Sequence, residues 1–275
     1  MSTKNNNRIV QGLWIGGRLS ELERLCIRSF CANGHEFHLY AYEDLQNLPQ
    51  VEGLRVMDGA DILPRSAIFR YRHSNSLAGF ADRFRWELMR QKGGWYADMD
   101  VVALRPLDFS AQMIFAYEAP DALINSALMK FPRGHYAAAA VADACADINK
   151  FVPWDTHKRK TKKIKRRLLL RRHHRYLGWG EAGGPIAITL AVRHFNLEKY
   201  ALPAHSLYYQ YHPLVNGFFD DALHKSGVLD VMLSGTFSLH LMHNIVQKKG
   251  IDKDGTFPEN SPYEILKRRY PEPGK

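Results

Sequence analysis

Between Leu77 and Ala97 the chain passes without a break from one periodicity into another, and that junction limits the folds open to it. Leu77, Phe80, Ala81, Phe84 and Leu88 fall at helical spacing on one face, which predicts a helix over residues 77–92. Gly93-Gly94 ends it, and Trp95-Tyr96-Ala97 at once begins a short apolar strand. The opening of the chain repeats this alternation. Residues 8–14 predict a strand, and Ser20 with Glu23 forms a capping box for a helix carrying Leu22, Leu25 and Phe30, stopped at Asn33-Gly34. Residues 37–42 and 54–57 predict two more strands. Strand and helix alternating at this spacing predict βαβ units and a mostly parallel sheet. The Trp95 strand runs into Asp98-Met99-Asp100 and on through residues 101–104. Strands at 112–117 and 126–131, a helix at 135–148, a Gly-rich turn at 178–184, a helix from Pro185, aromatic loops and a strand near 236–242 complete the expectation.

Composition closes off several classes. With 275 residues, 45% of them hydrophobic, the chain can bury a core without staples. Cys26, Cys31 and Cys145 make neither a disulfide framework nor a metal-ligand spacing, so a reduced, cytoplasmic compartment is expected. The polar residues 1–8 lead into no apolar run and are not expected to be a signal peptide. The longest smooth stretch, 136–148, is broken by Asp143 and Asp147, so no membrane span is expected. There is no GxSxG, P-loop or Ser-His-Asp order.

Charge is informative because it is local. The chain carries a net +10, yet residues 158–175 hold eleven of its 38 Lys and Arg and no acid, leaving 27 basic against 28 acidic residues elsewhere. Ile164, Leu168 and Leu169, with Tyr176, predict a narrow apolar stripe on this basic helix. Three roles compete for Lys162, Lys163, Lys165, Arg166, Arg167 and their neighbours. One is a polyanionic acceptor or an anionic membrane, which would place the protein peripherally on the inner membrane face. Another is a nucleic-acid backbone, and the third is a solvated surface.

Asp98-Met99-Asp100 follows an apolar strand, so two carboxylates leave the sheet at its carboxyl edge, where open α/β sheets bind ligands. Hard oxygen ligands there suit Mn²⁺ or Mg²⁺ held with a diphosphate. An isolated Asp-x-Asp is equally a solvated turn, and Asp82–Arg85 alone is equally an i,i+3 surface ion pair. Trp179 reads as an acceptor-stacking aromatic or a buried hydrophobe, and Glu118 as an active-edge carboxylate or a surface residue.

Phe80-Ala81-Asp82-Arg83-Phe84-Arg85 followed by Gly93-Gly94-Trp95-Tyr96-Ala97-Asp98-Met99-Asp100 resembles the block shared by glycosyltransferase family 32 enzymes, relatives of α-1,4-galactosyltransferases, yeast initiating mannosyltransferases and clostridial glucosylating toxins. Residues 9–17 are similar to that family's first strand and Asn125 to its Asn segment. Gly184-Pro185 is similar to its Thr-Gly-Pro turn, with Gly183 in place of Thr. His240-Leu241 is similar to its terminal His-Leu-Trp strand, with Met242 in place of Trp. The resemblance spans residues 8–244 and is dense over 80–107.

It implies a GT-A fold: an α/β, Rossmann-like nucleotide-sugar-binding sheet flanked by helices, with a smaller acceptor-binding region. A single domain over 1–275 is expected, with a donor part at 8–131, an acceptor part at 132–244 and a tail at 245–275. Asp82, Arg85, Asp98 and Asn125 would contact the donor, Trp14 would lie by its base, and Asp98, Asp100 and Arg85 would serve catalysis. Asp100, Asp98 and His240 would hold the Mn²⁺ or Mg²⁺, with His243 the weaker candidate. The implied reaction is hexose transfer from a nucleotide-diphosphate sugar, a UDP-sugar ahead of a GDP-sugar, with retention. The acceptor would be a saccharide or lipid-linked group in surface-polysaccharide assembly. The alternatives are transfer to hydroxymethylated bases of DNA held by residues 158–175, and a non-catalytic polyanion-binding protein.

Overall fold

The computed structural model describes residues 8–119, 123–208 and 216–272; residues 1–7 of the polar opening and the aromatic stretch at 209–215 lie outside them. Among the described residues nine strands are present: β1 (Ile9–Trp14), β2 (Glu36–Ala41), β3 (Leu54–Asp58), β4 (Gly94–Ala97), β5 (Val101–Ala103), β6 (Ile114–Tyr117), β7 (Ile124–Phe131), β8 (Ala201–Leu202) and β9 (Ser238–His240). The α-helices are α1 (Glu21–Ala32), α2 (Ala78–Gln91), α3 (Tyr136–Ala146), α4 (His157–Leu168), α5 (Pro185–His194), α6 (Ala222–Lys225), α7 (Val228–Gly235), α8 (His243–Lys248) and α9 (Pro262–Arg269). Seven strands form one sheet in the order β3-β2-β1-β4-β7-β6-β8, and β5 pairs with β9 in a second. The α/β sheet with flanking helices is therefore present. It is mixed: β1 and β2 run parallel from Ile9–Glu36 to Trp14–Ala41, whereas β6 is antiparallel to β7 and parallel to β8. The run from Trp95 to Leu104 is not one strand. The chain turns at 98–100, where the Val101 N–H donates to the Asp98 carbonyl, and β5 leaves to pair antiparallel with β9. No helix among the described residues is long and apolar enough to cross a membrane.

The chain divides into two compact units, each drawing on segments from both sides of residue 131. The first comprises the described residues of Met1–Met57, Ala97–Ser110 and Pro203–Lys275. Its core joins Leu22, Leu25 and Cys26 of α1 to Val102 of β5, Leu239 of β9, and Tyr263 and Leu266 of α9. The stretch expected as a tail from residue 245 thus reaches the middle of this unit, because Tyr263, Leu266 and Tyr270 supply an apolar face that α1 and β5 lack partners for. α1 starts as its capping box predicts: the Ser20 N–H donates to Glu23 Oε2 at 2.7 Å.

The second unit comprises Asp58–Tyr96 and the described residues of Ala111–Leu202. Here α2 is buried on more than its apolar stripe, since Asp82, Arg85, Trp86 and Glu87 are buried too. α3 packs on α2, and α5 packs on β7 and α3. Trp86 stands edge-on to Phe131 at 5.4 Å, and its Nε1 donates to the Gly183 carbonyl at 2.6 Å. A Cβ on Gly183 would lie 2.8 Å from both Cys145 Sγ and Trp86 Cδ1. This gives a steric reason for glycine where the family pattern has Thr: no room remains for a side chain.

The basic helix α4 packs in reverse of its expected stripe. Arg159, Lys163 and Arg166, at i, i+4 and i+7, form the buried face. Arg159 Nε and Lys163 Nζ reach Asp155 at 3.1 and 2.6 Å, and Arg166 reaches Glu181 at 2.6 Å and Asn149 at 3.1 Å. Ile164, Leu168 and Leu169 stay outside. The acids that satisfy the helix lie just beyond the 158–175 window, so a window count could not find them. α4 ends in a Schellman turn, with Leu170 N–H donating to Arg167 O and Arg171 N–H to Arg166 O. Leu170 holds a left-handed φ of 52°, where glycine is usual and an L side chain costs roughly 1–2 kcal/mol.

Candidate functional site

In the first unit, the turn after β4 presents Asp98, half-buried, and Asp100, buried. Asp100 is held on three sides by one short downstream segment. Its backbone carbonyl accepts the Leu241 N–H at 2.8 Å, and its Oδ2 accepts the His243 N–H at 2.7 Å. Its Oδ1 lies 3.3 Å from His240 Nε2. Met242, at φ 54°, supplies the left-handed step that lets the segment wrap around the carboxylate. Burial would raise the Asp100 pKa, but the His240 charge and the His243 N–H bring it well below the usual carboxylate range. Oδ1 is buried, and the His240 ring at 3.3 Å is what meets its charge. Asp100 Oδ1 beside a histidine nitrogen suits a hard divalent cation. Among the described residues no three His, Cys, Asp or Glu side chains converge on a metal position. A cation there would therefore take most of its ligands from substrate and water, as Mg²⁺ commonly does with phosphates.

Around this pair lies a second set. His243 Nδ1 is 3.3 Å from Glu23 Oε1, and the same carboxylate holds the Lys253 ammonium and the Ser20 hydroxyl. Lys253 Nζ sits 5.5 Å above the Trp14 ring, which meets His243 edge-on at 6.3 Å. Trp14 Nε1 donates to the Arg18 carbonyl at 3.1 Å. Trp14, Asp98, Asp100 and His240 thus belong to this unit, with Glu23 and Lys253 as additions. Glu23 was legible only as a helix cap, and Lys253 carried no signal.

In the second unit, Asp82 and Arg85 are not a surface pair. Both are buried, with Arg85 Nη1 donating to Asp82 Oδ1 at 2.9 Å and to the Ser126 hydroxyl at 2.5 Å. The guanidinium lies 4.7 Å from the Tyr96 ring centroid. Asn125 Oδ1 accepts the Ala127 N–H at 2.7 Å, and Ser126, next to it in β7, is a residue the sequence did not single out. A Cβ on Gly184 would come within 2.9 Å of Asp82 Oδ2, so the Gly183-Gly184-Pro185 turn closes directly over that carboxylate. Trp179, on the neighbouring loop, is 60% exposed and is not a buried hydrophobe. Of the polyanion-binding candidates, Lys163 and Arg166 are spent on Asp155 and Glu181, while Lys162, Lys165 and Arg167 remain at the surface.

No family model matches this sequence, and no curated protein matches it. Among solved structures, the chain is similar to PaToxG glycosyltransferase at 12% identity, covering 96% of this chain and 87% of that one, with a TM-score of 0.45. It is similar to the apo form of the glycosyltransferase GlyE of Streptococcus pneumoniae TIGR4 at 13% identity and a TM-score of 0.42. A second GlyE structure gives 11% and 0.38. The alignments cover 95% and 94% of this chain but only 60% of GlyE. At these scores the likeness assigns no residue a role.

A buried ion pair on α2 and a buried carboxylate on the turn after β4 are what the geometry itself contributes. A buried ion pair such as Asp82–Arg85 is poor value for stability, since apolar residues of similar volume usually serve as well. A buried carboxylate paired with a histidine, as at Asp100, is no better. Both arrangements fit a role with a charged ligand.

Proposed function

We propose that the protein is a metal-dependent glycosyltransferase that moves a hexose from a nucleotide-diphosphate sugar, a UDP-sugar ahead of a GDP-sugar, with retention. The acceptor is a saccharide or lipid-linked group of surface-polysaccharide assembly. The observation that carries the reading is the buried Asp100 carboxylate, its Oδ1 3.3 Å from His240 Nε2 and its Oδ2 fixed by the His243 N–H, two residues after Asp98 just past β4. Asp100 and His240 would hold Mn²⁺ or Mg²⁺, Asp98 would contact the donor as the resemblance implies, and the cation when bound would offset the charge of the leaving diphosphate.

The chain's own residues do the rest. The Leu241 and His243 N–H groups fix the Asp100 backbone and carboxylate, so no reorganisation is needed when a cationic partner arrives. Asp82 and Arg85 are assigned to the donor by the resemblance, with Asn125 beside them in sequence to Ser126. The Asp82 carboxylate and the Ser126 hydroxyl hold the guanidinium in one orientation, which suits bidentate contact with an oxyanion. Trp14 offers a ring face to the base.

The test is nucleotide-sugar hydrolysis without acceptor, with and without Mn²⁺, across UDP- and GDP-hexoses. Asp100→Asn keeps the shape and removes the charge, so Mn²⁺-dependent turnover should fall by orders of magnitude. Near-normal turnover with ordinary Mn²⁺ dependence in that variant overturns the metal assignment. Absence of hydrolysis and of transfer with every donor overturns the enzyme.

A further inference from the structure

We infer that α4 and the turn after it form a docking surface for an anionic lipid bilayer. The reversed packing of this helix carries the inference. Its cationic face, Arg159, Lys163 and Arg166, is committed inward, so the residues left outside are not those of a simple solvated helix. Ile164 and Leu168, four apart on the outward face, are 48% and 77% exposed. Leu169 and Leu170 continue the ridge at 48% and 77%. Contiguous exposed aliphatic side chains at the end of a charged helix are unusual on a soluble surface.

Charge complementarity decides what covers the ridge. Lys158, Lys160, Lys162, Lys165, Arg171 and Arg172 are all exposed around it, and none has an acidic partner among the described residues. The nearby acids, Asp155 and Glu181, are buried under the helix and already neutralised by it. Leucines fringed by lysine and arginine match the boundary between headgroups and acyl chains, where the apolar side chains enter and the cations stay with the phosphates. A nucleic-acid backbone would use the same cations but would leave the four aliphatic side chains in water.

The backbone adds an independent observation. Leu170 holds a left-handed φ of 52° at the glycine position of a Schellman turn. A glycine there would relieve the backbone and remove an exposed leucine. A leucine that is strained and wet in the isolated protein points to a bound state in which it is buried.

The experiment is co-sedimentation of the full chain with vesicles of phosphatidylcholine, with and without phosphatidylserine, beside a salt titration on duplex DNA. The parent should sediment with phosphatidylserine-containing vesicles and not with phosphatidylcholine alone. Leu168→Ser with Leu170→Gly should lower that partitioning by roughly tenfold or more for each leucine. Changing Lys158, Lys160, Lys162 and Lys165 to Gln should lower it by about fivefold per charge at low salt. Leu170→Gly alone should melt no lower than the parent, which separates loss of docking from loss of fold. Unchanged vesicle binding in the leucine variant overturns the inference. Tight, salt-sensitive binding to DNA with no binding to vesicles also overturns it and assigns the surface to nucleic acid. No binding to either leaves a solvated helix and overturns it as well. None of these outcomes depends on whether the protein transfers sugar.

Discussion

Replacing Glu23 with Gln isolates a charge that the first unit relies on. The side chain, in the first turn of α1, is fully buried and meets Lys253, His243 and Ser20. Burial would raise its pKa, yet the contacts with His243, Lys253 and the Ser20 hydroxyl lower it from 4.5 to about 2. A carboxyl whose folded pKa lies below its unfolded one stabilises the protein above the unfolded value. That contribution is lost as the pH falls from about 4.5 towards 2. The gap is worth ~3 kcal/mol at neutral pH, at 1.36 kcal/mol per pH unit. Glu23→Gln should therefore lower the unfolding free energy by about that amount at pH 7 in urea titrations followed by tryptophan fluorescence. The deficit should shrink as both proteins are titrated from pH 5 towards ~2, because the parent's carboxyl protonates over that range. A deficit below ~1 kcal/mol, or one that stays constant across that range, would refute the reasoning.

Gly183→Thr restores the residue of the family pattern and should nevertheless destabilise by ~1–3 kcal/mol, since its Cβ meets Cys145 and Trp86; thermal melting decides. Asp155→Asn strands Arg159 and Lys163 under α4 and should cost ~3–5 kcal/mol, with trypsin cutting within residues 158–167 much faster than in the parent. An unchanged cleavage rate would mean that α4 is held by other contacts. Arg85→Lys keeps the charge but cannot reproduce the guanidinium's fork or its contact with Tyr96, so donor affinity should drop by about tenfold or more. Donor titrations that match the parent would return Asp82–Arg85 to a structural role.

The first 130 residues were largely legible because their signals are local: a capping box for α1, a double glycine after α2, and apolar runs for β1, β2 and β4. Proline at the first turn likewise marked α5. The contacts that give the candidate site its character are not local. Asp98-Met99-Asp100 is visible as a motif, but nothing in it shows that residues 240–243 bind both the backbone and the carboxylate of Asp100. Asp82–Arg85 reads as a surface pair because its spacing is that of a solvated helix face, and only Ser126, Tyr96 and the Gly184 turn put it inside. The basic helix misleads for the opposite reason. Periodicity assigns leucines to the interior, yet Asp155 and Glu181 draw the cations in and leave the leucines out.

The clamp on Asp100 also sets an order of events during synthesis. The His243 N–H that fixes the carboxylate lies 143 residues downstream of it. At ribosomal speeds of ~5–20 residues per second, Asp100 waits on the order of ten seconds or more for its partner to be made. For that interval the β4 turn can form, but its carboxylate remains in water. Nascent chains released before His243 would hold the glycine-stopped helix and the strand that follows it, and would lack the groups that preorganise Asp100. Burial of the Asp100 carboxylate is in that sense a late checkpoint: it reports that the downstream segment has arrived and docked.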